Sequence, residues 1–259
     1  MRTGWETIES GPATADRTVL LLPGGMCSAG MWTEVMAQPG LADYRLVAAT
    51  LPGHCGAPAP DDFRPEHYGH ITAELAREIK ADVVAGFSMG AMVAYEMAVS
   101  GAFKGPVVLL GSSFSSPDEP GFFRGIAHST RVLGTLPIAL IKAGAGSMVK
   151  KAKVPPDRQA ELKADFARNN SADLVKALRA YVRWLADDDG RAARLCQAGL
   201  PTWVVHAEKG DGALTAQERA TLEACANVHV VTIPGHVFFM LNDVPDQVAD
   251  LINEAVKAV

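Results

Sequence analysis

The sequence predicts a doubly wound, mostly parallel α/β sheet with an inserted helical cap, and three observations carry that prediction. Short, continuously apolar runs alternate with helix-like stretches through the first 111 residues. From Ser112 to about Leu195 the alternation stops, and helical patterns follow one another without a convincing strand. It then resumes and continues to the end of the sequence. Runs that are apolar at every position fit strands covered on both faces. Strands separated by helices pair in parallel through crossovers.

The elements follow in order. Val19–Leu22, Leu46–Ala49, Asp82–Gly86 and Val107–Leu110 read as strands, the last two ending at or near glycine. Met31–Met36, His67–Lys80 and Ala91–Val99 read as the helices between them. The helical block holds Arg124–Leu133, Ile138–Val149, Pro156–Asn169 and Ala172–Ala186, punctuated by Pro137, Pro155 and Pro156. Thr202–His206, Thr215–Cys225, Val228–Ile233 and the amphipathic Pro245–Val256 then restore the strand–helix alternation. Residues 1–111 and 196–259 are assigned to the core. Residues 112–195 are assigned to a cap inserted after the sixth strand.

Composition narrows the function. With 48% apolar and 20% charged residues over 259 positions, the chain is neither disordered, collagen-like nor a coiled coil, and it can bury one large core. A net charge of −5 gives no overall attraction to nucleic acid. No apolar run approaches the roughly 20 residues of a membrane span, and residues 1–18 hold no stretch of secretory length. Cys27, Cys55, Cys196 and Cys225 lack Cys-x-x-Cys spacing and read as free thiols in a reducing cytoplasm. The expectation is a soluble, cytoplasmic globule without membrane or nucleic-acid partners.

The cap is basic. Residues 121–185 hold twelve Lys/Arg against four Asp/Glu, a net +8. Such a field over a cleft would concentrate an anionic substrate; the plainer reading is a solvated lid surface with some Lys and Arg stems packed flat.

Gly86-Phe87-Ser88-Met89-Gly90 matches Gly-x-Ser-x-Gly between a strand and a helix. A serine on that tight turn has a strained backbone and a hydroxyl clear of the sheet, and the glycines avoid clashes with the flanking strand and helix. The helix that starts there favours negative charge developing at Ser88. Serine needs a base. Among seven histidines, His236 in Pro234-Gly235-His236 falls on a loop after the last strand, at the sheet edge that carries Ser88. The imidazole needs a carboxylate to fix its tautomer. Asp211, on a Gly-flanked turn after Thr202–His206, is the first choice, and Glu208 competes from three residues earlier. His54 reads as a structural hydrogen bonder, His206 as a core group, and the Phe residues of the cap as packing, with some lining an acyl pocket. No residue cluster has metal-ligand spacing and no phosphate-binding glycine loop occurs, so neither metal nor cofactor is expected.

At this point the chain resembles the α/β-hydrolase superfamily over nearly its whole length apart from the cap. Ser88…Asp211…His236 is that fold's order of nucleophile, acid and base. Leu21-Leu22-Pro23-Gly24-Gly25, with Trp32 beyond it, is similar to the superfamily's His-Gly-x loop. Leu51-Pro52-Gly53-His54-Cys55-Gly56 is similar to its Pro-Gly-His-Gly turn, and Gly235-His236…Pro245…Val248…Ile252 to its C-terminal pattern. The chain departs from that pattern at Pro23, Thr50, Cys55, Ala91 and the additional Gly210, none of them a reacting group. The resemblance implies an oxyanion hole from the backbone N–H groups of Gly25 and Met89. It also implies a serine hydrolase acting on a small or medium carboxylic ester or lactone through an acyl-enzyme. A perhydrolase, an enol-lactonase or a C–C bond hydrolase would use the same triad, and a non-catalytic receptor would keep only the fold.

Overall fold

The computed structural model describes residues 4–119, 121–187, 190–209 and 214–259. Seven strands form one sheet: β1 (Thr7–Ser10), β2 (Thr18–Leu22), β3 (Arg45–Ala49), β4 (Val83–Phe87), β5 (Val107–Leu110), β6 (Thr202–Lys209) and β7 (Val228–His236). Their order across the sheet is β1-β3-β2-β4-β5-β6-β7. Only β1 runs antiparallel, against β3. The described helices are α1 (Thr33–Met36), α2 (Pro65–Ile79), α3 (Met89–Val99), α4 (Gly121–Leu133), α5 (Leu136–Val149), α6 (Pro156–Arg168), α7 (Ser171–Ala186), α8 (Arg191–Ala198), α9 (Ala216–Glu223), α10 (Met240–Asp243) and α11 (Pro245–Lys257).

The apolar runs explain the two-sided packing. Every residue of β2, β4 and β5 is buried, and successive side chains point to opposite faces. Leu20, Leu22 and Val84 pack with Tyr68, Leu75 and Tyr95 on the face of α2 and α3. Val19, Leu21, Val83 and Ala85 pack with Trp32, Val248 and Ile252 on the face of α11. A strand that alternated polar residues could not serve both layers.

Four expectations are corrected. The cap helices α4 to α7 follow the fifth strand, not the sixth. The unanticipated β1 is an edge strand with only partial burial, so its sequence, Thr-Ile-Glu-Ser, lacks an apolar run. Both β6 and β7 run further than expected, to Lys209 and His236. Glu208 and His236 are thus strand-terminal residues rather than loop residues. Cys196 and Cys225 are disulfide-bonded rather than free. Packing of α8 against α9 brings their Cα atoms to 5.8 Å across 29 residues of sequence, which no local spacing could signal. That bond removes the ground on which a reducing compartment was expected. Cys27 and Cys55 are free thiols. The boundary after residue 195 falls inside α8, whose Arg191 carbonyl accepts from the Tyr95 hydroxyl of α3 at 3.2 Å. No described helix is long and apolar enough to cross a membrane.

Candidate active site

Ser88 joins β4 to α3 with φ 50° and ψ −113°, a conformation that L-residues adopt only under constraint. The constraint is visible on both sides. The Ser88 N–H donates to the Leu110 carbonyl at 2.8 Å, and its carbonyl accepts from Ala91 and Met92. A Cβ on Gly86 would lie 2.1 Å from the Gly90 carbonyl oxygen, and one on Gly90 would lie 2.3 Å from the Leu22 carbonyl oxygen. The two glycines therefore let helix, turn and strand touch backbone to backbone.

The Gly24–Met26 loop lies against this turn. A Cβ on Gly24 would sit 3.5 Å from the Ser88 Cβ, and one on Gly25 would sit 3.6 Å from the Met89 Sδ. Met26 has φ 68°, and both its backbone groups are held. Its N–H donates to His54 Nδ1 at 3.0 Å. Its carbonyl accepts from the Asn169 side-chain amide at 2.9 Å and from the Cys55 thiol at 3.0 Å. His54 is therefore the structural hydrogen bonder expected, with a role beyond its own turn. Burial lowers its pKa to about 4, with the Asp173 carboxylate pulling weakly the other way. The ring is neutral at pH 7, and because Nδ1 accepts, the proton is assigned to Nε2. Thr50, where the resemblance would place an aspartate, accepts from the Ala29 N–H at 2.9 Å. Among the described residues nothing accepts from the N–H of Gly25 or of Met89.

The neighbouring thiols are protonated. Burial pushes the Cys55 thiol up to about 12 and the Cys27 thiol higher still, so neither supplies a thiolate nucleophile near neutral pH.

The opposite rim is formed by strand ends. His236 ends β7 beside Lys209 of β6. Its Nδ1 accepts from the Phe238 N–H at 3.4 Å, and its ring stacks on Phe238 with centroids 5.3 Å apart. Phe238 shares a cavity wall with Ser88, so the imidazole lies one ring behind that wall. Among the described residues the Ser88 hydroxyl and the His236 imidazole share no hydrogen bond. Glu208 is exposed and accepts from the Gly235 N–H at 3.5 Å. Asp211 lies outside the described residues. The structure thus gathers Ser88, Gly25 and Met89 at one point and sets Glu208 next to the strand end that carries His236.

Above Ser88 lies a cavity of about 330 Å³. Its floor is core (Gly25, Ser88, Met89) and its roof is cap, with Phe123, Ile126, Ile138 and Leu178 among the lining side chains. No Lys or Arg lines it among the described residues. Three of the cap's basic residues pair away from it: Arg158 with Glu34 at 2.7 Å, Arg168 with Glu6 at 3.0 Å and Lys176 with Asp173 at 3.0 Å. The hydrogen-bonded pair Glu119 and Tyr181 in the wall escaped the sequence reading because the two stand 62 residues apart and belong to no motif.

Residues 19–251 match the alpha/beta hydrolase family. The chain belongs to that family. Solved alpha/beta hydrolase structures similar to it include a thermophilic esterase from Thermogutta terrifontis, at 19% identity and a TM-score of 0.72, covering 98% of this chain and 93% of the other. The enol-lactonase from Burkholderia xenovorans LB400 aligns at 18% identity and a TM-score of 0.74, over 98% of this chain and 96% of its own. MenH from S. aureus aligns at 15% identity and a TM-score of 0.72, over 98% of both chains. No curated protein matches by sequence. At such identities the likeness concerns the fold, and an alpha/beta hydrolase's chemistry must be argued from its site.

Proposed function

We propose that this alpha/beta hydrolase is a serine hydrolase that cleaves a small or medium carboxylic ester or lactone through an acyl-enzyme. The observation that carries the proposal is Ser88 held in its strained turn at the floor of an apolar cavity, beside two uncommitted backbone donors. The base is His236, and its acid is Asp211, with Glu208 as the alternative. As the Ser88 Oγ attacks the carbonyl carbon, His236 takes the hydroxyl proton. The carbonyl oxygen gains the charge and is met by the N–H groups of Gly25 and Met89, the latter at the positive end of α3. Collapse breaks the bond to the alcohol oxygen, which leaves with the proton from His236. Water, deprotonated by the same imidazole, then attacks the acyl carbon and frees Ser88. This cycle requires the His236 imidazole to come within hydrogen-bond reach of Ser88, and catalytic hydrogen bonds commonly tighten only when substrate is bound.

The lining argues for a mostly apolar acyl group rather than an anionic one, since no Lys or Arg lines the cavity among the described residues. A fluorophosphonate probe should label Ser88 in the native protein, located by mass spectrometry, and leave Ser88→Ala unlabelled. A panel of p-nitrophenyl esters of graded acyl length should be turned over. A folded protein that neither reacts with the probe nor cleaves any ester would remove the proposal.

A further inference from the structure

Within the apolar cavity one carboxylate stands out. Glu119, beyond the end of β5, is 8% exposed and lines the same cavity as Ser88. Its Oε2 accepts two hydrogen bonds, from the Tyr181 hydroxyl of α7 at 2.6 Å and from the Ser113 hydroxyl at 2.7 Å. Among the described residues no group donates to Oε1. A carboxylate offers about four lone-pair positions, and Oε1 keeps accessible surface and its acceptor capacity for a ligand. Burial raises the Glu119 pKa, and the two hydroxyls and, less strongly, the Arg124 guanidinium pull it back. Two hydroxyls, one from α7 and one from Glu119's own loop, thus converge on one oxygen and leave the other without a donor, in a wall that is mostly apolar.

We propose that Glu119, oriented by Tyr181 and Ser113, is a recognition point for a hydrogen-bond donor at the far end of the substrate, a hydroxyl or ammonium group on an otherwise apolar chain. This names the substrate class of the site described above and, for turnover, rests on the serine-hydrolase reading. The carbonyl sits at Ser88, the methylene chain fills the apolar space, and the terminal donor meets Oε1. Sites built to hydrogen-bond a substrate hydroxyl discriminate strongly against the analogue that lacks it, because their own polar group is then left unpaired. An apolar pocket discriminates weakly and in the opposite direction.

The test compares two p-nitrophenyl esters of equal length, one ending in a hydroxyl and the other in a methyl. The native protein should favour the hydroxyl ester in kcat/KM by at least about 100-fold. The ratio should fall below one in Glu119→Leu and drop at least about tenfold in Tyr181→Phe, which loosens the carboxylate without removing it. Because each ratio is taken within one protein, a general loss of stability or activity cancels. An unchanged ratio in Glu119→Leu assigns Glu119 a structural role and overturns the proposal. Calorimetric titration of Ser88→Ala with the same two esters separates the two readings. Tighter binding of the hydroxyl ester by tenfold or more upholds the recognition point even if native protein turns over neither ester. Equal affinities defeat it even if both are cleaved.

Discussion

The two rims of the cavity are built differently. On the serine rim the backbone around the two open donors is pinned: Ser88 to Leu110, Met26 to His54 and Asn169, and the elbow glycines to contacts that admit no side chain. On the histidine rim His236 and Glu208 stand at strand ends, accepting from the Phe238 and Gly235 N–H groups at 3.4 and 3.5 Å, and a Cβ on Gly235 would meet nothing within 4 Å. Charge that develops at a fixed point is best met by donors already in place, whereas a base depends on the side chain that sets its tautomer. The serine rim is shaped by backbone contact and the histidine rim by side chains at the ends of two strands.

The sharpest way to break this contrast is at the acid. Removing the true partner of His236 should lower kcat by about 10⁴-fold through the wrong tautomer, so Asp211→Asn should show that loss in steady-state kinetics and Glu208→Gln should not. The reverse result would move the acid into β6. Next come the glycines. Gly86→Ala forces backbone against backbone and should cost about 3 kcal/mol or more in urea unfolding, together with probe labelling of Ser88. Gly235→Ala, at φ 97° in open space, should cost only about 1–2 kcal/mol from its conformation; equal losses would mean that the rims do not differ. Reduction of Cys196–Cys225, remote from both rims, should lower stability by about 3 kcal/mol and leave kcat at 25 °C unchanged.

The smallest effect is one of pH. His54 titrates near 4 when folded and near its ordinary 6.5 when unfolded. Its contribution is therefore complete above pH 6.5 and lost as pH falls towards 4, by about 2 kcal/mol between pH 6.5 and 5. Glu96 and Glu119, whose carboxyls burial pushes up, act in the opposite sense. The measurement is therefore the difference in urea stability between native protein and His54→Asn at the two pH values. That difference should shrink on acidification, and parallel curves would detach His54 from the stability of the Met26 loop.

How much of this could be read from the sequence follows from what kind of signal each part leaves. Strands buried on both faces leave apolar runs, so β2, β4 and β5 were legible almost to the residue. The elbow was legible because two glycines and a serine are dictated by local backbone contact. Where burial is one-sided or absent the signal disappears, as at β1 and at the last residues of β6 and β7. Pro234-Gly235 in particular reads as a loop although β7 continues through it. Contacts made only by tertiary packing leave no local trace, which hid the disulfide, the Glu119–Tyr181 pair and the grip of His54 on Met26. Basic residues in the cap suggested a field over the cleft, but side-chain direction decides such questions and sequence does not carry it.

The ion pairs of α6 have a practical corollary. Arg158 reaches Glu34 of α1, which also accepts from the Asn242 side chain of α10 at 2.9 Å, and Arg168 reaches Glu6 near the N-terminus. A chimera that grafted a foreign roof onto this scaffold to alter what it accepts would strand the partly buried Glu34 without its cation. Such grafts should keep α6 and exchange α4, α5 and α7 around it, leaving that seam sewn.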